Sequence, residues 1–240
     1  MAYFCLQSLL REYGWQFLWR VLAPHPVRTT TAVLSVAKRD FWGDKIVTSP
    51  QKPGPSLGGP RSIVGVGFCL KPLDPPCLSG RANHECFYLE RLLHAGTPEP
   101  PDCCKICAIR EMGIETLKAG AAFYIMTSAR DILSDVFTPA LNERRFSAGL
   151  FLLCRYSLRP FTVGLLASGI QGWMFPFERG DCADYRTWLL ADRGIKDEQT
   201  RISEQSWKDI HGLLDNAAKD PSTVKRFDRR GNVLVTRSRE

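Results

Sequence analysis

Cysteine carries the chemistry-bearing pattern of this chain. Nine cysteines occur among 240 residues, and five of them lie in CLSGRANHEC, Cys77 to Cys86, and PDCCKIC, Pro101 to Cys107. Two residues separate Cys104 from Cys107, a spacing at which one turn brings both sulfurs toward a common centre. Cys77 and Cys86 complete a set of four once the proline-rich segment closes the gap, with Cys103 an alternative fourth ligand. Four thiolates, or three with an open iron, suit a [4Fe–4S] cluster, and amides at neighbouring helix starts would donate to its sulfides. Zinc competes for the same residues, held by four cysteines or by three and His84. The spacing is neither the compact ferredoxin run nor a familiar zinc-finger pattern. Further thiols at Cys69, Cys154 and Cys182 exceed what one zinc site needs, which favours iron–sulfur, although buried cysteine is also an ordinary small hydrophobe. Adjacent Cys103 and Cys104 cannot easily reach one ion together, so one of them is expected to point elsewhere.

A second patch combines LLCRYSLRP, with Cys154, Arg155, Tyr156 and Arg159, and PFERGDCADY, with Glu178, Arg179, Asp181, Cys182, Asp184 and Tyr185. Ionisable groups flanking an apolar run cost desolvation unless they pair or bind a ligand. Arg155 or Arg159 can fix a carboxylate or phosphate, Asp181 and Tyr185 can exchange protons, and Cys182 can serve as a nucleophile. An internal ion-pair network around Gly180 accounts for the same residues. Gly65 and Gly67 do not complete a dinucleotide fingerprint, and Gly58 and Gly59 do not precede the lysine and hydroxyl of a phosphate loop.

Three functions compete on these residues. An iron–sulfur oxidoreductase acting on a small anionic substrate, or an electron-transfer component docking a redox protein, follows from the cluster. A zinc-stabilised nucleic-acid-binding module follows from zinc and the basic charge, and a thiol-dependent enzyme follows from Cys182.

The 32 basic and 25 acidic residues give a formal charge of +7, which favours an anionic partner without choosing one. No basic leader with an apolar core and a small-residue cleavage pattern opens the sequence, and no apolar run is long enough for a transmembrane helix. A cytoplasmic protein with free thiols is the expectation.

The elements that must position these residues follow from period and punctuation. Tyr3 to Leu22 has helical spacing and ends before Pro24. Thr29 to Val36 is rich in β-branched residues and is expected as a strand. Pro50 to Pro60 is a loop. Ile63 to Leu70 is expected as a short buried strand whose glycines admit close approach. Asn83 is placed to cap a helix bearing Cys86 and Leu89, and Asp102 one running through Cys107 and Met112. Ala121 to Met126 suits a strand and Ser128 a cap, while Phe146 to Phe177 supplies the second half of the core. Tyr185 to Ala191 and Ile202 to Ala218 suit helices. The fold class expected is α/β: a compact mixed domain of short strands and flanking helices with a cysteine-rich metal-binding loop. It is taken as one domain over 1–240, with a basic, solvated tail from about 221 in which Val233 to Val235 can add an edge strand.

Overall fold

The computed structural model describes residues 12–48, 57–95, 99–217 and 227–236. Helix α1, Glu12–Phe17, runs directly into a π-helical turn at Leu18–Leu22. The part of the expected first helix before residue 12 lies outside the described residues.

Helix α2, Pro26–Ala37, occupies the stretch expected as a strand. Pro26 presets the backbone of the first turn, and Thr29, Ala32 and Val36 recur at helical spacing as the buried face. The Thr29 and Thr31 hydroxyls donate to the carbonyls of His25 and Val27, one turn earlier. This face packs on the helix at Arg155–Ser168. Burial against a neighbour thus overrides the β preference of the threonines and valines.

Next come β1 at Ile46–Val47 and β2 at Ser62–Gly67, followed by a 3-10 turn at Phe68–Leu70 that ends the expected strand three residues early. Most of the Pro50–Pro60 loop lies outside the described residues. Helix α3, Phe87–Ala95, starts later than Asn83, with Ser79 Oγ accepting from the Phe87 N–H. The expected helix through Cys104 and Cys107 is two helices, α4 at Asp102–Lys105 and α5 at Ala108–Lys118, broken at Ile106 and Cys107. Strand β3, Ala122–Met126, is followed by α6, Ala129–Ile132, which continues through a π-helical turn into α7, Thr138–Glu143. The apolar second half resolves into β4 at Ala148–Leu153, α8 at Arg155–Ser168 and β5 at Gln171–Pro176. Helices α9, Tyr185–Asp192, and α10, Glu204–Asp215, precede a hairpin of β6, Phe227–Arg230, and β7, Val233–Thr236. The described part of the basic tail is therefore an edge hairpin; its residues 221–226 and 237–240 lie outside the described ones.

The seven strands form one sheet in the order β1-β5-β4-β2-β3-β7-β6. Strands β5, β4, β2 and β3 run parallel, with β1 and β7 antiparallel at their flanks. Both faces are covered, which is why β2, β3 and β4 read as continuous buried runs rather than alternating ones. Leu89, Ile109, Met112, Ile210 and Leu214 fill one face; Val36, Leu133, Phe137, Leu158 and Phe161 fill the other. From β2 the chain moves to β3 on one side, then returns across to β4 and on to β5 on the other. Strand order thus reverses between β2 and β4, and the crevice beyond their carboxyl ends is where an open parallel sheet presents a ligand site.

The architecture is mixed α/β, but the cysteine-rich stretch is not a metal-binding loop. Among the described residues, no group of three or more His, Cys, Asp or Glu side chains is placed to hold a metal ion. The close approaches at the β2 glycines are also internal: a Cβ on Gly65 would meet the Phe151 ring at 2.6 Å, and one on Gly67 the Phe177 ring at 3.0 Å.

The tightest approach in the sheet is at Gly172 of β5, where an added Cβ would lie 1.7 Å from the Gly149 carbonyl oxygen of β4. Backbone cannot give way as a side-chain end can. Gly172→Ala is therefore expected to cost about 1–3 kcal/mol, as overpacked sites do, read as a lowered denaturant midpoint; an unchanged midpoint would refute the β4–β5 register.

Candidate active site

The crevice at the strand reversal is lined by thiols. Cys69 sits in the turn that follows β2, Cys154 directly follows β4 and precedes the first residue of α8, and Cys182 lies in the loop after β5. The Cys154 thiol is close enough to both of the others for each to shift with it. All of them line a cleft of about 90 Å³, together with Met126, Phe137, Phe161 and Phe177 from the apolar core, and Trp188 and Asp192 from α9. That space suits a small, mainly apolar group.

Electrostatics separate these thiols. The hydrogen bond with Cys154 holds Cys69 down at about 7, against the opposing effect of burial, with help from the Lys196 ammonium. Cys154 likewise lowers Cys182, again against burial and with help from Lys196, whose Nζ is 3.9 Å from the Cys182 sulfur. Cys154, bonded to Cys182 and Cys69 and buried, is pushed well up and keeps its proton. Negative charge on Cys69 disfavours it on Cys182. Asp181 fixes the end that carries Cys182: its carboxylate accepts from the Arg155 N–H at 3.0 and 3.1 Å and from the Cys182 N–H at 2.9 Å.

The opposite wall is polar and comes from the end of β3. Ser128 caps α6, accepting from the Asp131 N–H, while the Thr127 and Ser128 hydroxyls donate to the Asp131 carboxylate at 2.7 Å each. His84 lies at the back of this network, 3.1 Å from Thr127 Oγ1 and stacked on Tyr124. Asp192 accepts from the Ala129 N–H, and burial pushes its carboxyl up.

The cysteines expected to bind metal line a different place. Cys77, Cys86, Cys103, Cys104 and Cys107 surround a void of about 10 Å³, below or at the roughly 10–15 Å³ that one water needs. Burial pushes Cys86 and Cys104 up to about 12 and raises Cys107. The expectations of a [4Fe–4S] cluster, of zinc, and of the iron–sulfur oxidoreductase or electron-transfer role are overturned by the lack of any ligand group among the described residues. The segment is instead organised by a buried lysine. Lys71 Nζ donates to the carbonyls of Gly80 and Asn83, at 3.1 and 3.0 Å, and to the Asn83 side chain.

The chain has no match. Comparison with protein-family models, curated proteins and solved structures finds nothing similar, so the reading of the site stands on its geometry. Among the described residues, no helix is long and apolar enough to cross a membrane.

Of the residues singled out in the second patch, Cys154, Asp181 and Cys182 meet at the cleft. Arg155, Arg159 and Tyr185 line an adjoining groove instead. Lys196, Trp188 and Asp192 were not marked in the sequence, since neither their types nor their spacing sets them apart. A signal for Cys69 and Cys154 did exist: each follows an apolar run that ends as a parallel strand.

A thiol lowered in this way gives a pH signature. Alkylation of Cys69 by iodoacetamide should fall away as pH drops through about 7, and that of Cys182 below the ordinary thiol range, because the thiol replaces the thiolate. Lys196→Met removes a charge that favours the thiolate and should move that midpoint upward. A midpoint near the ordinary thiol value of 9.0 in the unsubstituted protein would contradict the shared-proton arrangement.

Proposed function

We propose that this chain is a thiol-dependent enzyme that attacks an electrophilic carbon of a small substrate, such as an activated acyl group. The carrying observation is the gathering of Cys69, Cys154 and Cys182 around one cleft at the strand reversal, with the Lys196 Nζ 3.9 Å from the Cys182 sulfur. A lowered thiol is nucleophilic at neutral pH without a separate base.

In this reading Cys182 is the nucleophile. Its thiolate sulfur donates an electron pair to the acyl carbon, a carbon–sulfur bond forms, and the leaving group departs with the pair from its own bond. Water then attacks the thioester, releasing the acid and a proton and restoring the thiolate. Lys196 balances the sulfur charge before and after each step, and Cys154 holds the row through its retained proton. Asp192, the carboxyl in the cleft that burial raises, takes the proton from the attacking water. Asp181 acts as a positioning residue through its bonds to the Arg155 and Cys182 amides.

Activated acyl esters with short alkyl chains test this, since they match an apolar cleft of this size. The expected result is a burst of leaving group and an acyl adduct on Cys182 by mass spectrometry. Cys182→Ser should lower turnover at least about a hundredfold, the scale of loss when a nucleophile is removed. Turnover unchanged in a Cys69→Ser, Cys182→Ser double variant would dismiss the proposal.

A further inference from the structure

A groove of about 770 Å³ adjoins the thiol cleft, lined by Trp42, Arg155, Tyr156, Arg159, Tyr185 and Arg186 among others. Its composition differs from that of the cleft. Guanidinium groups and aromatic rings alternate around it, and Asp184 is the acid in its lining, already engaged as the cap of α9 through the Thr187 N–H.

The groove is built by contacts between distant segments. Arg155 pairs with Asp44 at 3.1 Å and donates to the Trp42 carbonyl, which fixes the 41–44 segment as one wall. Arg159 lies over the Phe41 ring, 5.5 Å from its centre. Neither Arg159 nor Arg186 is in an ion pair among the described residues, and both are exposed. Trp42 is 83% exposed at the rim, an unusual position for so large an apolar surface unless something stacks on it.

Groove and cleft share a wall. Pro160 lines both, and Trp188 of the cleft stacks on Tyr185 of the groove at 5.9 Å and lies 6.4 Å from Tyr156. A ligand long enough to pass Pro160 therefore places one end against the thiols and the other among the arginines.

We propose that the groove binds a phosphate-bearing small molecule with a planar ring, a nucleotide-type head group, whose other end is the apolar portion that enters the thiol cleft. Arg159 and Arg186 hold the phosphate, since guanidinium matches a phosphate in charge and in its planar fork of donors. Trp42, with Tyr156 and Tyr185, supplies ring faces for the planar group. The groove as a binding site stands by itself; its joining to the cleft rests on the thiol-enzyme reading.

The test uses the full chain with adenosine monophosphate, its hexyl phosphate ester, adenosine and inorganic phosphate, each followed by calorimetry and by tryptophan fluorescence. Adenosine monophosphate should bind saturably and more tightly than adenosine or phosphate alone. The Arg159→Ala, Arg186→Ala double variant should weaken it at least about tenfold, the loss expected when charge-assisted hydrogen bonds are removed, with an unchanged melting temperature because both residues are exposed. The hexyl ester should bind more tightly still and slow alkylation of Cys182, which adenosine monophosphate alone should not. Absence of saturable binding, or binding indifferent to the double variant, overturns the groove as a nucleotide-type site. Binding that depends on the arginines while the ester leaves Cys182 alkylation unchanged overturns only the joining of groove to cleft. Failure of the thiol-enzyme reading shows separately, as unchanged turnover when Cys69 and Cys182 are replaced.

Discussion

The parallel register of β2 and β4 is the constraint on which the candidate site depends. Gly65 of β2 stands opposite Phe151 of β4, and the ring of that phenylalanine covers the glycine. A slip of one residue would turn every buried side chain of a strand to the other face, and the space above Gly65 would no longer receive the ring. With the register held, the two strands end side by side, and the residues that follow them, Cys69 and Cys154, come within hydrogen-bonding reach. Strand β5 adds Cys182 by the same logic, because its own pairing with β4 fixes where the loop after Pro176 begins.

Two groups of cysteines in one chain behave differently for reasons of environment alone. Cys86, Cys104 and Cys107 lie among apolar side chains around a void of about 10 Å³, and burial disfavours their charged form. Cys69 and Cys182 are also buried, yet a shared proton on Cys154 and the charge of Lys196 offset that penalty. Burial raises a thiol, and a neighbouring donor and cation lower it. Lys71 shows the complementary case: its ammonium is spent on the carbonyls of Gly80 and Asn83, where it orders the segment between Cys77 and Cys86 without activating any thiol.

The metal reading failed for a physical reason that spacing cannot reveal. Cys104 and Cys107 do share a turn, the Cys107 N–H donating to the Cys104 carbonyl across the break between α4 and α5, yet among the described residues no third His, Cys, Asp or Glu side chain joins them to hold an ion. The expected strand at Thr29–Val36 failed similarly. Its β-branched residues fit a pleated surface, yet the buried positions Thr29, Ala32 and Val36 also form a helical stripe, and α8 offered that stripe a surface to cover.

By itself, the sequence determined the local elements whose signals are local. Ser128 caps a helix through its own side chain, the apolar run of β3 announces a buried strand, and the abundance of thiols marks where chemistry is to be sought. Only the tertiary structure decided which thiols meet. Cys69, Cys154 and Cys182 are far apart along the chain, and their union depends on strand order, which is set by how helices pack across both faces of the sheet. That same packing brought Lys196 to Cys182 and Trp42 to Arg155. Capping and burial period act over a few residues and leave their mark in the sequence; the free energy of covering a sheet is shared among distant segments and leaves no such local mark.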